Sequence, residues 1–235
     1  MPPIVLHDPS DLAAIRAGIT TQGPTCVWFN CEDDVAQTLI AETKFPVEET
    51  QRAERLRMVQ DRLAYLSARA VLRQVLATYE GCDPGDVAIT APPQQKPYAS
   101  DTLPKFSITH SHGLITVCFL AHGAVGCDLE LAPRTETASM FGMAEHVFAP
   151  DEIAHLSSLA PAPTEARAFF LSVWRRKEAV LKAAGVGFSG RPKSFSILTQ
   201  EGGFADRLLF QNQTWEVAEL NAPDHPDLAI AWTLP

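Results

Sequence analysis

Two long stretches with helical periodicity, one in each half of the chain, constrain the fold of this sequence most strongly. In residues 48–79, apolar side chains recur close to the helical period, and Gly81 follows as a stop signal. Residues 165–184 show the same pattern and are followed by Gly185. We therefore expect one long helix in each half of the protein.

A short phrase is repeated between the two stretches. Arg69 to Arg73 reads Arg-Ala-Val-Leu-Arg, and Glu178 to Lys182 reads Glu-Ala-Val-Leu-Lys, 109 residues later. Five positions do not establish a duplication, but an offset near half the chain favours two related halves. We predict an α+β fold with two pseudo-symmetric lobes, each a long helix packed on a small antiparallel sheet. The predicted lobes are residues 1–113 and residues 114–235, the second carrying a metal site.

Short runs rich in β-branched and aromatic residues supply the expected strands. Residues 105–109, 114–120 and 124–131 are separated by turn residues and predict a three-stranded antiparallel meander. Further strands are expected at 25–29, 87–90, 194–198, 208–210, 214–219 and 229–233.

Composition excludes several classes of protein. The 235 residues carry a formal net charge of -9 without a run of like charges, which argues against a nucleic-acid partner. The most apolar region, residues 114–131, is broken by His122 and Gly126, so we expect no membrane span. Five cysteines without CxxC spacing predict neither structural zinc nor a disulfide framework, and Cys118 and Cys127 should be small buried side chains. Together with an N-terminus unlike a signal peptide, this predicts a cytoplasmic protein.

Asp128 and Glu130 are the clearest departure from a purely structural pattern. They follow the apolar run 124–127 at a spacing that places both carboxylates on one face of a strand. A strand end that turns its polar residues to solvent would look the same. Gly126 favours a functional interpretation, because a glycine inside a strand often marks a close approach of backbone or ligand.

Trp174, Glu178 and Lys182 follow one another at four-residue spacing and share one face of the second long helix. The simpler interpretation is a surface Glu–Lys pair, which contributes only about 0.3–0.5 kcal/mol. Trp174 argues against a plain surface, because so large a ring is usually buried in part. Three carboxylates beside an ammonium suit a hard divalent cation and the phosphates that it bridges.

Candidate anion ligands lie in the first half. Thr109 and His110 stand next to Ser111, and all three side chains can donate a hydrogen bond to an oxyanion, although a histidine at a strand end is often solvated. Lys96 lies in a proline-rich loop and is uninformative by itself. Arg52 belongs to a group of arginines on the first long helix, most of which should face solvent.

Taken together, these elements resemble the 4′-phosphopantetheinyl transferases, specifically the large two-lobed type that modifies carrier proteins of peptide and polyketide synthases. The similarity covers roughly residues 45–200. Gly126-x-Asp128-x-Glu130 followed by Trp174-x-x-Lys177-Glu178-x-x-x-Lys182 is a highly specific combination, although either motif alone is moderate evidence. The other matching elements are the helix 61–73, Lys96-Pro97, Phe106 to Ser111, Phe148 to Glu152, Gly185 and Gly187.

The resemblance implies a set of roles. Asp128, Glu130 and Glu178 would hold one magnesium ion that bridges the pyrophosphate of coenzyme A, the co-substrate. Lys182 would neutralise the pyrophosphate, and Glu178 would be the general base. The coenzyme phosphates would also be contacted by four residues of the first half: Thr109, His110, Lys96 and, as a weaker candidate, Arg52. In this family the two lobes are related by a pseudo-twofold axis and the coenzyme lies between them.

The implied reaction is attack of a carrier-protein serine on the β-phosphorus, with 3′,5′-ADP as the leaving group. The enzyme would be a monomer acting on an apo acyl or peptidyl carrier protein; neither the carrier nor the choice of magnesium over manganese follows from the sequence. Two other classes are compatible with the carboxylates: a magnesium-dependent phosphohydrolase and a non-catalytic coenzyme A binder.

Some residues of the second half have two interpretations. Arg175 and Arg176 would form a basic rim for an acidic carrier helix or be merely solvated, and Lys177 would meet phosphate or the carrier. The region Phe141 to Leu159 would be either an apolar docking surface or ordinary packing between elements.

Overall fold

The computed structural model describes residues 4–20, 22–93, 95–131, 137–222 and 225–233, except the side chains of residues 137, 138, 222 and 225. These residues form two compact units, the first ending at Ala124 and the second running from Val125 to Thr233. The division therefore falls after Ala124 and not after residue 113 as predicted.

The first unit combines four helices with a four-stranded sheet in its described residues. Its elements are β1 (Ile4–Val5), α1 (Asp11–Gly18), β2 (Thr25–Asn30), α2 (Asp34–Glu42), α3 (Val47–Arg55), α4 (Val59–Glu80), β3 (Lys105–Ser111) and β4 (Leu114–Leu120). The strand order is β1-β2-β4-β3, with β1 parallel to β2 and the other pairs antiparallel. Buried side chains of α4 pack with those of β2 and β4 in one apolar core.

The second unit has the same ingredients. Its elements are β5 (Val125–Leu129), α5 (Thr137–Val147), α6 (Pro150–Ser158), α7 (Pro163–Ala184), β6 (Arg207–Phe210), β7 (Gln213–Ala222) and β8 (His225–Trp232). The strand order is β5-β8-β7-β6, and every pair is antiparallel. The long helix α7 packs against β5 and β8.

Both units share one order of elements: a strand (β2 or β5), then helices, then a hairpin whose last strand pairs with that strand. This order gives β2-β4-β3 in one unit and β5-β8-β7 in the other. Both long helices have 22 residues and end at a left-handed glycine, Gly81 or Gly185. The predicted α+β fold, with one long helix on a small sheet in each half, is confirmed. The parallel strand β1 makes the first sheet mixed rather than purely antiparallel.

The predicted meander of residues 105–131 is wrong in its third strand. β3 and β4 form the expected hairpin, but β5 pairs with β8. The reason is that β4 already pairs with β2 on its other side, so it has no free edge for β5. The expected strands at 87–90 and 194–198 are irregular segments that contribute only single bridging residues.

The stretch predicted as one helix from residue 48 to residue 79 is two helices. The backbone is extended at Leu56 and Met58, which ends α3 and starts α4 in a new direction. This break lets Glu49, the third residue of α3, reach the side of α4, where its carboxylate pairs with Arg69 and Arg73 at 3.4 and 2.9 Å. The buried ion pairs explain why a continuous helix is not formed.

Arg73 is the centre of a buried polar cluster in the first unit. Its Nε donates to Glu49, and its Nη1 donates to the carbonyl oxygens of Pro84 and Val87 at 3.0 and 2.9 Å. The guanidinium therefore ties α3 and the segment after α4 to α4 itself.

Lys177 makes the equivalent cluster in the second unit. Its Nζ lies 2.9 Å from Glu152 Oε2 and donates to the carbonyl oxygens of Pro192 and Phe195 at 2.8 and 2.6 Å. Glu152 is the third residue of α6, as Glu49 is of α3, and its carboxylate also accepts backbone hydrogen bonds from Ala149 and Ile197 at 2.7 and 2.8 Å.

The two clusters reveal the true offset of the internal repeat. Val59 and Pro163 start the long helices and Glu80 and Ala184 end them, 104 residues apart in both cases. At this offset Arg73 matches Lys177. The repeated phrase, whose offset is 109, is therefore a coincidence of common helical residues and not the structural correspondence.

Gly126 sets the distance between β5 and α7. A Cβ atom at this position would overlap the carbonyl oxygen of Ala179 and the amide nitrogen of Ala183. Only a strand without a side chain at this point can lie so close to the helix backbone.

Cys26 and Cys118 form a disulfide, which contradicts the prediction that the chain lacks a disulfide framework. They are direct partners across β2 and β4, and the sequence gives no sign of this because 92 residues separate them. The buried position predicted for Cys118 is confirmed, as is that of Cys127. Within the described residues, no helix combines the length and the apolar character that a membrane crossing requires.

We expect Gly126→Ala to lower the free energy of unfolding by about 3 kcal/mol, because the added methyl group must push α7 away from β5. Gly142→Ala is the matched control: Gly142 is exposed on α5, no atom lies near its added Cβ, and alanine favours the helix. Urea denaturation of both variants measures the difference. Equal stabilities would show that the close approach is not required.

Candidate functional site

The carboxyl end of β5 and the C-terminal third of α7 bring the predicted acidic residues of the second unit together. Asp128 is buried near the end of β5, and Lys182 reaches it from α7 with a distance of 2.7 Å from Nζ to Oδ1. Glu178 lies one turn before Lys182 on the same helix face, and Glu130 follows β5 directly. Both glutamates are half-buried.

Burial and neighbouring charges raise the pKa of Glu178 to about 7. Burial is the largest cause; Lys182 lowers the value, whereas the negative charges of Asp128 and Glu130 raise it. All four charged groups are therefore close enough to influence one another. A carboxyl group with this pKa can take up or release a proton near neutral pH.

Lys182 remains a cation in this setting. Burial alone would lower the pKa of its ammonium group, but the negative charges around it, chiefly that of Asp128, outweigh burial and raise the pKa above its usual value. About a third of the side chain is exposed, so the ammonium group can also be reached from solvent.

The donor atoms of this site suit a hard divalent cation, but their positions in the structure do not form a ready metal site. Asp128, Glu130 and Glu178 offer only carboxylate oxygens, and their mutual repulsion is a charge excess that a cation would neutralise. In the ranges that the structure describes, however, no three His, Cys, Asp or Glu side chains form a ready metal-binding group. Lys182 occupies one oxygen of Asp128 instead.

The remaining predicted contacts lie in the first unit. Thr109 and His110 are neighbours on β3, so their side chains point to opposite faces of the sheet. Thr109 is buried and His110 is exposed. Arg52 is exposed on α3, with its guanidinium carbon 5.4 Å from the centre of the Tyr65 ring.

Lys96 lines a small cavity of the first unit, with a volume of about 150 Å³. Lys105 and Tyr98 also line it. Two lysines and an aromatic ring around one concave space are suited to an anion attached to a planar group, although Lys105 also pairs with Asp101 at 2.6 Å.

Both interpretations of Arg175 and Arg176 as surface residues are wrong. Arg175 donates from Nε to Glu219 at 3.0 Å and lies 3.0 Å from Asp227, while Nη1 of Arg176 lies 2.8 Å from Glu219. The guanidinium carbon of Arg176 also lies 3.9 Å from the centre of the Phe204 ring. The sequence could not show these contacts, because the acidic partners come from distant strands.

Lys177 is not available to a phosphate or to a carrier protein, as the sequence interpretation had allowed. Its side chain is completely buried with that of Glu152. Sequence reasoning missed this pairing, although Glu152 and Lys177 were both part of the motifs that carried the resemblance. Lys177 points about 100° away from Glu178 around the helix axis, so it does not share the face of Glu178 and Lys182.

Trp174 is half-buried, as expected from its size. It stacks on Phe170 with 5.7 Å between ring centres, and Phe170 stacks on the fully buried Phe148 at 5.2 Å. Leu156 is also fully buried. For Phe148 and Leu156 the packing interpretation of region 141–159 is therefore correct and the docking interpretation is not.

Comparison with known proteins assigns a family to the second half of the chain. The family model of the 4′-phosphopantetheinyl transferase superfamily matches residues 124–233, which include β5, α7 and all four charged residues of the site. Residues 124–233 belong to this superfamily. For this segment the family predicted from the two motifs is confirmed.

Relatives extend the similarity to about two thirds of the chain. It is 34% identical to a Synechocystis protein provisionally named as a 4′-phosphopantetheinyl transferase, over 61% of this chain and 58% of the relative. Identity to the 4′-phosphopantetheinyl transferase HetI of Nostoc is 32%, over 66% and 63% of the two chains. For the 4′-phosphopantetheinyl transferase of Bacillus subtilis it is 29%, over 66% and 67%. The chain thus spans about six tenths of the first two relatives.

The raised pKa of Glu178 predicts a pH-dependent stability of the metal-free protein. The folded state holds this proton more tightly than the unfolded state, where the value is 4.5, so the resulting stabilisation is complete at low pH and is lost as the pH rises through about 7. The glutamine of Glu178→Gln does not titrate, so this variant does not show the loss of stability as the pH rises. We therefore expect the free energy of unfolding of the variant, relative to that of wild type, to rise by about 1–2 kcal/mol between about pH 5 and pH 8.

Urea denaturation of both proteins in the presence of a chelator measures this difference. A stability difference that stays constant over the whole pH range would contradict the raised pKa.

Proposed function

We propose that this protein transfers the 4′-phosphopantetheine arm of coenzyme A to a serine of an apo carrier protein, giving the holo carrier and 3′,5′-ADP. The observation that carries the proposal is the meeting of Asp128, Glu178 and Lys182 at the close contact between β5 and α7, inside the segment that belongs to the superfamily. The relatives' names give no support to a phosphohydrolase or to a non-catalytic coenzyme A binder.

In the proposed reaction the serine oxygen attacks the β-phosphorus of coenzyme A, and the bond to the 3′,5′-ADP oxygen breaks. Glu178 takes the proton that the serine loses. The pKa of about 7 belongs to the metal-free protein, so the base role is proposed from the position of Glu178, one helical turn before Lys182 and within reach of the charges of Asp128 and Glu130.

Lys182 is proposed to bind the pyrophosphate. Its ammonium group is charged, partly exposed and held toward the site by Asp128. When a pyrophosphate oxygen approaches, the same ammonium group can donate to it and stabilise the charge that grows on the leaving ADP.

We propose magnesium as the cofactor, with Asp128, Glu130 and Glu178 as its protein ligands. Bound there, the ion would neutralise the pyrophosphate and polarise its phosphorus–oxygen bonds. The three carboxylates provide the oxygen donors that such an ion prefers, and manganese would be accepted by the same donors.

Lys96, His110, Thr109 and Arg52 remain the proposed contacts for the rest of coenzyme A. The cavity beside Lys96 supports its part in the proposal, since a phosphate and an adenine ring would find cationic and aromatic partners there. The exposed His110 is a better candidate for a side-chain contact than the buried Thr109.

The proposed partner is an apo acyl or peptidyl carrier protein, and the proposed setting is a cytoplasmic monomer. With Arg175, Arg176 and Lys177 buried in ion pairs, the positive charge for an acidic carrier must come from other residues.

The direct test is incubation with coenzyme A, magnesium and a panel of apo carrier proteins. We expect the mass of at least one carrier to increase by one phosphopantetheine arm, and we expect a chelator to reduce the rate by about 100-fold or more until magnesium or manganese is restored. Phosphate release without a carrier would indicate a hydrolase. Binding of coenzyme A without transfer to any carrier would indicate a non-catalytic binder.

Glu178→Gln should reduce the transfer rate by about 1,000-fold or more while the protein remains folded, because the amide neither accepts the serine proton nor ligates a cation as a carboxylate does. Glu165→Gln, in the exposed first turn of the same helix, is the control and should keep the wild-type rate. Mass spectrometry of the carrier gives the rates, and circular dichroism confirms the fold. Full activity in Glu178→Gln would remove this residue from both proposed roles.

A further inference from the structure

Two contacts restrict the rotation of α7 about its own axis, one on each side of the helix face that carries Glu178 and Lys182. Successive residues of a helix are separated by about 100°, so Lys177, Glu178 and Ala179 point in three different directions. Glu178 and Lys182 share one direction, with Lys177 on one side of it and Ala179 with Ala183 on the other. Each flanking side makes its own close contact.

The contact on the alanine side is steric. Gly126 of β5 lies so close to Ala179 and Ala183 that no Cβ fits between them. This contact prevents α7 from rolling toward β5, but it opposes no movement in the other direction.

The contact on the lysine side is directional. Nζ of Lys177 is held by Glu152 at 2.9 Å and by the carbonyl oxygens of Pro192 and Phe195 at 2.8 and 2.6 Å. These partners come from α6 and from the segment after α7, and Glu152 is itself fixed by the backbone amides of Ala149 and Ile197. Three converging acceptors define the position of one atom more narrowly than an apolar contact would.

We propose that the buried pair of Glu152 and Lys177 is a positioning device for the reaction. It opposes the roll that the Gly126 contact leaves open, and thereby holds Glu178 and Lys182 in line with Asp128. Lys177 and Glu152 touch no substrate in this account. The expected effect on kcat rests on the proposed transferase function. The expected effect on the distance between Lys182 and Asp128 does not depend on that function.

A purely structural role is the competing explanation, and the first unit offers the means to separate the two. Glu49 and Arg73 form the corresponding buried pair there, but Gln74 and Thr78 take the places of Glu178 and Lys182 on the helix. Removing the pair of the first unit therefore measures how the loss of a buried ion pair affects folding and kcat when no reactive residue stands beside the pair.

The test compares the double variant Glu152→Leu with Lys177→Met and a control variant of the first unit, Glu49→Leu with Arg73→Met. Because Glu49 also pairs with the buried Arg69, this Glu49/Arg73 variant carries Arg69→Met as a third change. Apolar replacement of every partner then leaves no unpaired buried charge in either unit, so both proteins should fold. For the Glu152/Lys177 variant we expect kcat to fall by about 100-fold, with KM for coenzyme A changed by less than about threefold. The Glu49/Arg73 variant should keep kcat within about twofold of wild type.

Crystal structures of wild type and of the Glu152/Lys177 variant provide a readout that does not depend on activity. We expect the distance from Lys182 Nζ to Asp128 Oδ1 to increase beyond about 3.5 Å in the variant, where it no longer counts as a hydrogen bond. If wild type modifies no carrier protein, the proposed function fails, and this distance alone decides the positioning role.

The proposal is overturned if the Glu152/Lys177 variant keeps its kcat per folded molecule and the Lys182–Asp128 distance. It is also overturned if the Glu49/Arg73 variant loses kcat to the same degree, because the effect would then be general. If the Glu152/Lys177 variant does not fold, Lys177→Arg and Glu152→Asp replace it, since each keeps the charge but shifts its position. Wild-type kcat in both single variants would equally reject the positioning role.

Discussion

The buried ion pair of Glu152 and Lys177 is the interaction on which the second unit depends most. It joins the start of α6, the middle of α7 and the segment that follows α7, and it satisfies two backbone amides and two carbonyl oxygens in doing so. Burial raises the pKa of Glu152 and lowers that of Lys177, so desolvation outweighs their attraction. When desolvation outweighs the attraction, a buried ion pair adds little to the free energy of unfolding, and its main effect is to fix the positions of the elements that it joins.

The reactive residues were predictable because each pattern that reveals them is local. Glu178 and Lys182 share a helix face through their four-residue spacing, and Asp128 is the fourth residue of an otherwise apolar strand. Gly126 was also interpretable, since a glycine inside a strand signals a close approach. The approaching partner is the helix backbone itself.

Features that depend on distant pairing were not predictable from the sequence. The edge to which β5 binds is decided by whether β4 has a free side, and no local pattern records this. Arg175 and Arg176 were taken for surface residues because Glu219 lies more than forty residues away. The break between α3 and α4 likewise follows from the burial of Glu49, which an uninterrupted helical periodicity conceals.

Gln74 and Thr78 stand in the first unit where Glu178 and Lys182 stand in the second, so the two units share an architecture without sharing the reactive side chains. That architecture consists of a long helix, a buried cation from that helix and a glutamate at the third position of a preceding helix, and both units retain it. On the long helix itself, two positions on one face distinguish the unit that carries Glu178 and Lys182 from the unit that carries Gln74 and Thr78. After a duplication, one copy could therefore lose its reactivity by drift without any loss of architecture.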